Sequence, residues 1–360
     1  MNIANYTIQE WLFNEAQGKF KYDLAESGVQ FQHVKNLEIN PDWELDYSLD
    51  RGNNNLRKVV KSQYNTYEKL LHSIITHGAQ EALYIFYRSF LKDNDHVVAT
   101  SPGWQQAWEV PKSMNCKVTL LEWSSNQNFP IEKLRESISS KTKLLILNSP
   151  CNPTGKILSK REWEEIISIC NSKNIFIVND EEYLLDLSDS IINKYDQSLS
   201  VSSLSKIYGL PALRLGWAVS RNKKIIEEMI NYKRYTTVSN SLLLEKIAEN
   251  ILLEKETHIN RYYAYIDAGR PYLDKFSILT RDYLELSTPQ KTPFAWFNTK
   301  KSINSSSLAR ELLEKHKLLV MPAEVFGTQN GLRLTYARDK ELLCLCLNMI
   351  LETLGINERL

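Results

Sequence analysis

The stretch Ser202-Ser203-Leu204-Ser205-Lys206-Ile207-Tyr208-Gly209-Leu210-Pro211-Ala212-Leu213-Arg214-Leu215-Gly216-Trp217 decides how this chain is read. A lysine follows a run of serines, an arginine comes eight residues later, and a glycine follows each closely. The neighbours are largely apolar. Dry surroundings disfavour an ammonium, so Lys206 is expected to act as a nucleophile or base near neutral pH. Serine hydroxyls and a guanidinium beside it suit a phosphate. One bound molecule carrying an aldehyde and a phosphate would engage all of these groups. The usual fate of a lysine is a solvated surface, but a surface loop would not carry these apolar flanks.

Working outward, strand-like and helical runs alternate. Ala79, Ala82, Leu83, Phe86 and Phe90 recur at helical spacing, which predicts a helix over 79–91 with Gly78 at its start. Val97-Val98-Ala99, Leu144-Leu145-Ile146-Leu147 and Ile175-Phe176-Ile177-Val178 read as short buried strands. The second runs into the turn-rich Asn148-Ser149-Pro150-Cys151-Asn152-Pro153-Thr154-Gly155. Ser159 with Glu162 is a capping-box signature for a helix reaching about Asn171. Strand then helix, repeated, predicts an α/β domain around a mostly parallel sheet, with ligands beyond the carboxyl ends of the strands. Asn152 and Asp180 both follow predicted strands and Gly78 opens a predicted helix, so polar groups converge on one sheet edge.

Bulk properties narrow the class. Lysine plus arginine number 44 and aspartate plus glutamate 43 in 360 residues, a net charge of +1, so nothing calls for nucleic acid or an anionic membrane. No apolar run is long enough to span a bilayer. The N-terminus, Met1-Asn2-Ile3-Ala4-Asn5-Tyr6, lacks the basic-then-apolar order of a signal peptide. The five cysteines form no CxxC pair and the six histidines show no ligand spacing, so no metal site is expected. The expectation is a soluble, cytoplasmic protein. Gly155-Lys156 is not a P-loop, and the absence of GxGxxG leaves a dinucleotide enzyme unsupported.

An ordered set of pieces resembles the pyridoxal 5'-phosphate (PLP)-dependent enzymes of fold type I, in the class I/II aminotransferase branch. The pieces are Tyr47 with Gly52 and Leu56-Arg57, then Thr76-His77-Gly78-Ala79-Gln80-Glu81-Ala82-Leu83, then Pro102-Gly103-Trp104. Asn152-Pro153-Thr154-Gly155, Asp180-Glu181-Glu182-Tyr183, the lysine segment and Gly331-Leu332-Arg333-Leu334-Thr335-Tyr336-Ala337 complete it. The resemblance covers nearly the whole chain. It implies an α/β fold, with a large PLP-binding domain over residues 30–250 and a smaller α+β domain from residues 1–29 and 251–360.

The resemblance also implies roles. Lys206 would hold the cofactor aldehyde as a Schiff base and move the substrate proton. Asp180 would pair with the pyridine nitrogen. Asn152 and Tyr183 would hydrogen-bond the phenolic oxygen, and Trp104 would stack on the ring. Backbone N–H groups of Gly78, Ala79 and Gln80 would meet the phosphate at a helix N-terminus, with Ser203, Ser205 and Arg214 completing the cup. Tyr47 would reach the phosphate of a neighbouring subunit, making a homodimer. Arg333 would fork onto the substrate α-carboxylate, with Gly28 and Asn152 beside it. The implied activity is amino transfer from an α-amino acid, with a 2-oxo acid as acceptor, within amino-acid metabolism or biosynthesis.

Some of these residues have plainer readings. Trp104 and Tyr183 can be packing, Asp180 a cap, Arg333 a structural ion pair and Gly28 an ordinary turn glycine. The runs Gln9-Glu10-Trp11-Leu12, Asp23-Leu24-Ala25-Glu26-Ser27-Gly28-Val29 and Tyr235-Thr236-Thr237-Val238-Ser239-Asn240-Ser241 are similar to a narrower, capreomycidine synthase-like group. That group acts on arginine-derived amino acids by elimination, cyclisation or oxidation as well as transamination. One departure stands out: many aminotransferases place Gly-Gly before the strand that here follows Thr292-Pro293.

Overall fold

The alternating apolar strands and amphipathic helices build a seven-stranded sheet. The computed structural model describes residues 3–64, 68–289, 291–300 and 302–360; Met1 and Asn2, which begin the stretch judged not to be a signal peptide, lie outside them. The strands are β1 (His72–Thr76), β2 (His96–Ser101), β3 (Lys117–Glu122), β4 (Thr142–Asn148), β5 (Phe176–Asp180), β6 (Ser198–Ser203) and β7 (Gly216–Ser220). Their spatial order is β1-β7-β6-β5-β4-β2-β3. Only β7 runs antiparallel to its neighbours, β1 and β6. The central strands are buried on both faces, which is why they read as apolar runs rather than alternations.

Register then gathers the polar ends. Asn148, the last residue of β4, pairs with Asp180, the last residue of β5, and Asp180 pairs with Val201 of β6. Asp180 thus closes its strand, where the sequence places it one step beyond. The helix expected over 79–91 spans Gly78–Phe90, and its Phe86 and Phe90 pack on Phe176 of the sheet. The capping box forms as expected: Ser159 Oγ accepts from the Glu162 N–H, Glu162 accepts from the Ser159 N–H, and the helix runs Lys160–Ser172.

A second, antiparallel sheet contains β8 (Leu284–Ser287), β9 (Phe294–Thr299), β10 (Met321–Pro322) and β11 (Gly331–Thr335), in the order β10-β11-β9-β8. Its register sets Arg333 opposite Trp296. The N-terminal segment is stitched to this part of the chain. Tyr22–Asp23 pairs in parallel with Leu318–Leu319, and the Thr335 N–H donates to the Leu24 carbonyl at 2.9 Å. Residues 24–28 are thereby laid beside Arg333. Among the described residues no helix is long and apolar enough to cross a membrane, and no group of three or more His, Cys, Asp or Glu is placed to hold a metal ion.

Candidate active site

Lys206 lies in the turn that leaves β6. The Leu204 N–H donates to Leu215 O at 3.0 Å and the Leu210 N–H to Leu204 O at 3.1 Å, which holds the turn closed. Gly28 packs against its backbone, and a Cβ on Gly28 would stand 3.1 Å from Ser205 O and 3.2 Å from Lys206 O. Lys206 Nζ donates to Glu26 Oε1 at 2.7 Å, with both side chains about a quarter exposed (23 % and 24 %). Burial penalises both charges, but their mutual attraction outweighs it. Glu26 is held at about 2, and Lys206 is raised above the ordinary lysine range. The expectation of a disfavoured ammonium is therefore corrected: the apolar flanks do desolvate Lys206, but a carboxylate 180 residues away in sequence keeps it charged.

Above the sheet edge, Gly78 opens its helix with φ +76°, a backbone region that suits glycine. A Cβ there would also come within 2.5 Å of Arg214 Nη2, so the guanidinium lies directly against the helix N-terminus. The His77 side chain does not cap that terminus, and Glu81 accepts only the His77 N–H, which leaves the N–H groups of the first turn for an anion. Arg214 Nη1 donates to Pro211 O at 3.2 Å and lies 3.5 Å from Ser205 Oγ. Ser203 and Ser205 are buried, with the Ser205 N–H donating to Ser203 Oγ at 3.0 Å. Ala79 is buried beneath the same turn, and the Gln80 carbonyl accepts from Gln106 Nε2 at 2.8 Å. The structure thus brings Gly78, Ala79, Gln80, Ser203, Ser205 and Arg214 to one place.

Asp180 has its carboxyl pushed up to about 8, chiefly by burial and then by the charge of Glu182. Its Oδ1 accepts the Glu182 N–H at 3.1 Å. Such a group calls for a cationic partner. Asn148 Nδ2 donates to the Asp180 carbonyl at 2.9 Å, and Asn148 Oδ1 accepts the Asn152 N–H at 2.6 Å, so the two strand ends and the loop are tied together. Asn152 Oδ1 accepts from Arg333 Nη1 at 2.6 Å. The Tyr183 hydroxyl donates to Ser27 Oγ at 2.9 Å, and burial pushes this phenol up to about 12. Trp104 meets Tyr6 edge to face, with ring centroids 5.6 Å apart.

Trp104, Glu26, Lys206 and Arg333 line one cavity of about 320 Å3, walled further out by Leu12 and Phe13 of the N-terminal segment. Arg333 is 3 % exposed and sits between the rings of Phe294 and Phe326, 5.3 and 5.0 Å from their centroids. Its Nη groups reach Asn152 and the Ala25 carbonyl, whereas Nε is buried without a partner. Its hydrogen bonds therefore go to neutral oxygens, in place of the structural ion pair that was the plainer reading. The charges of Glu26 and Asp23 favour this guanidinium without bonding to it, but burial still lowers its pKa, so an anion bonded directly would stabilise it further. Tyr47 stands apart, 88 % exposed, its backbone bridging to Ser241.

Three residues not singled out from the sequence belong to this site. Ser27 and Glu26 come from the loop beside Arg333; their run resembles a family segment that lines the substrate site, but their partners Tyr183 and Lys206 are revealed only by long-range contacts. Glu182 is buried, with neither carboxylate oxygen in a well-formed hydrogen bond; Ser203, Lys206 and Arg214 are the groups around it that favour its charge. Burial nonetheless raises its pKa. Its signal was legible as a third acid in Asp180-Glu181-Glu182.

Pyridoxal phosphate fits what is present: a helix N-terminus under a guanidinium, with first-turn N–H groups left open, a buried carboxyl lacking a cation, and a lysine at the mouth. Residues 41–346 match the family of aminotransferases of class I and II, and the chain belongs to it. It is thus an α/β protein of PLP fold type I, with pyridoxal phosphate as its cofactor. Among its relatives, capreomycidine synthase of Streptomyces vinaceus is 25 % identical over 374 residues, covering 98 % of this chain and 94 % of that one. Aspartate aminotransferase of Bacillus subtilis strain 168 is 25 % identical over 321 residues, covering 81 % and 78 %. Two solved structures share the fold across nearly the full length. A PLP-dependent aminotransferase from Streptococcus suis 89-1591 has a TM-score of 0.90 at 24 % identity, covering 98 % of this chain and 99 % of that one. The PLP-dependent cyclase OrfR has a TM-score of 0.89 at 22 % identity, covering 99 % and 98 %.

Proposed function

We propose that this protein is an aminotransferase acting on an α-amino acid, with Lys206 as the cofactor-linked lysine and a 2-oxo acid as acceptor. One observation carries the reading: a buried Arg333 guanidinium, bonded only to neutral oxygens, opens into the same cavity as Lys206. An α-amino acid presents a carboxylate to the first and an amine toward the second. Bound pyridoxal phosphate supplies an aldehyde and an electron-withdrawing ring. Gly78, Ala79, Gln80, Ser203, Ser205 and Arg214 hold its phosphate. Asp180 would pair with the pyridine nitrogen, Asn152 and Tyr183 would hydrogen-bond the phenolic oxygen, and Trp104 would stack on the ring. Lys206 takes the proton from the substrate Cα. Gly28 lets the backbone come close to the substrate carboxylate, beside Asn152.

The site is assigned to a large domain over residues 30–250 and a small one over residues 1–29 and 251–360. The exposed Tyr47 fits a homodimer in which it reaches the partner's phosphate; an active protein that sediments strictly as a monomer would contradict this. The lack of any membrane-crossing helix among the described residues is compatible with a cytoplasmic enzyme.

Two measurements check the reading. Arg333→Lys keeps the charge but loses the fork. It is expected to cost about 1.5–3 kcal/mol in binding, roughly tenfold to a hundredfold in KM, for all amino acids alike. A changed ranking among amino acids would make Arg333 a side-chain reader instead. Incubation with individual amino acids, arginine included, is expected to yield more than one equivalent of 2-oxo product per active site only when an acceptor is added. Turnover without acceptor would favour the second reading, a lyase, cyclase or oxidase on an arginine-derived amino acid. That reading draws on the near full-length likeness to capreomycidine synthase and to the cyclase.

A further inference from the structure

Glu26 is fixed before it meets Lys206. Its Oε1 accepts the backbone N–H groups of Ser27 and Gly28, each at 2.9 Å. The loop that carries it is itself anchored, through the Leu24 carbonyl to the Thr335 N–H at 2.9 Å and through the Val29 N–H to Lys206 O at 3.0 Å. Two backbone donors thus aim the same oxygen that lies 2.7 Å from Lys206 Nζ. A carboxylate held this way does not need to order a long side chain each time the lysine returns to it.

The other groups around the lysine nitrogen are less suited to this task. Tyr183 faces it, but burial keeps its phenol neutral at working pH, so it offers the lysine no lasting charge. Glu182 and Asp180 also face it, and burial raises the pKa of both. Asp180 is reserved in the proposed function for the pyridine nitrogen. Glu26 is flanked in turn by Arg333 and Asp23, and the guanidinium favours its ionised form. Of the acids near Lys206, Glu26 is the one that combines direct contact, a rigid mount and a lasting charge.

We propose that Glu26 is a positioning residue that aims the Lys206 nitrogen into the cavity and keeps it protonated while it is linked to the cofactor. The inference rests on the assignment of Lys206 as the cofactor-linked lysine. A negative charge fixed at this distance favours the protonated nitrogen. It also gives the released lysine a defined resting place between turnovers, so that it does not wander to Glu182.

The test is a spectrophotometric pH titration of the holoenzyme, following the visible band of the cofactor-linked lysine. The wild-type protein is expected to keep that nitrogen protonated above neutral pH. Glu26→Gln preserves an acceptor oxygen for the two backbone donors while removing the charge. Its midpoint is expected to fall by about 1–3 units, roughly tenfold to a thousandfold in proton affinity. Superimposable curves for the two proteins would overturn the proposal. A wild-type midpoint below neutrality would overturn it as well, and that arm does not depend on the variant folding. Absence of a visible band, or a reduced adduct on another lysine, would instead bring down the Lys206 assignment and this inference with it.

Discussion

Lys206→Ala is expected to lose turnover by about 10²–10⁴-fold or more, because the group that moves the substrate proton is gone. Cofactor binding should survive. The phosphate cup around Gly78 and Arg214 shares no side chain with Lys206, and Ser203 and Ser205 are held by their own local bonds. The variant should therefore retain noncovalent cofactor, measured by absorbance after dialysis, while steady-state rates collapse. It should also leave Glu26 without its partner. In the wild-type protein the ion pair keeps that carboxyl at about 2 despite burial. Without Lys206 its pKa rises, and the variant should bind an added proton as pH falls. A Lys206→Ala protein with near-normal turnover would show that another base serves the reaction.

Asp180→Asn should separate function from stability. The cofactor loses its charged partner, worth about 1.5–3 kcal/mol in binding, and the chemical step is expected to slow by roughly 10²–10³-fold as a preorganised electrostatic contact is lost. Without cofactor the sign reverses. Burial and Glu182 raise the folded pKa of Asp180 to about 8, above its unfolded value. A group raised in this way favours folding at low pH and loses that contribution as pH climbs toward the folded pKa. Apo Asp180→Asn should therefore melt higher than apo wild type at neutral pH, and the difference should shrink as the medium is acidified. Calorimetry of the two apoproteins across pH measures this. A neutral-pH melting temperature below wild type would mean that Asp180 is paired in the apoprotein.

The strand ends were legible because their chemistry is local. Apolar runs at Leu144–Leu147 and Ile175–Val178 stop at polar residues, so Asn152 and Asp180 fall at one edge of any parallel sheet. Gly78 was legible for the same reason, since a glycine at the start of an amphipathic helix marks a close approach. The charge state of Lys206 was not. Its apolar neighbours are visible in the sequence, but the carboxylate that overrides them comes from a loop whose position depends on the Tyr22–Asp23 pairing with Leu318–Leu319. Glu26 and Ser27 were visible only as part of a run resembling a family segment at the substrate site, and their individual contacts depend on that same pairing. Glu182 was in plain sight within a quoted motif, yet nothing local distinguishes a buried acid from a solvated one. The N-terminal wall of the cavity, with Leu12 and Phe13, likewise depends on tertiary packing that no periodicity reports.

The most direct test of this account is borohydride reduction of the holoenzyme, followed by proteolysis and mass spectrometry of the cofactor-bearing peptide. The account predicts a single adduct on Lys206. An adduct on any other lysine, or none on protein that has bound cofactor, would contradict it.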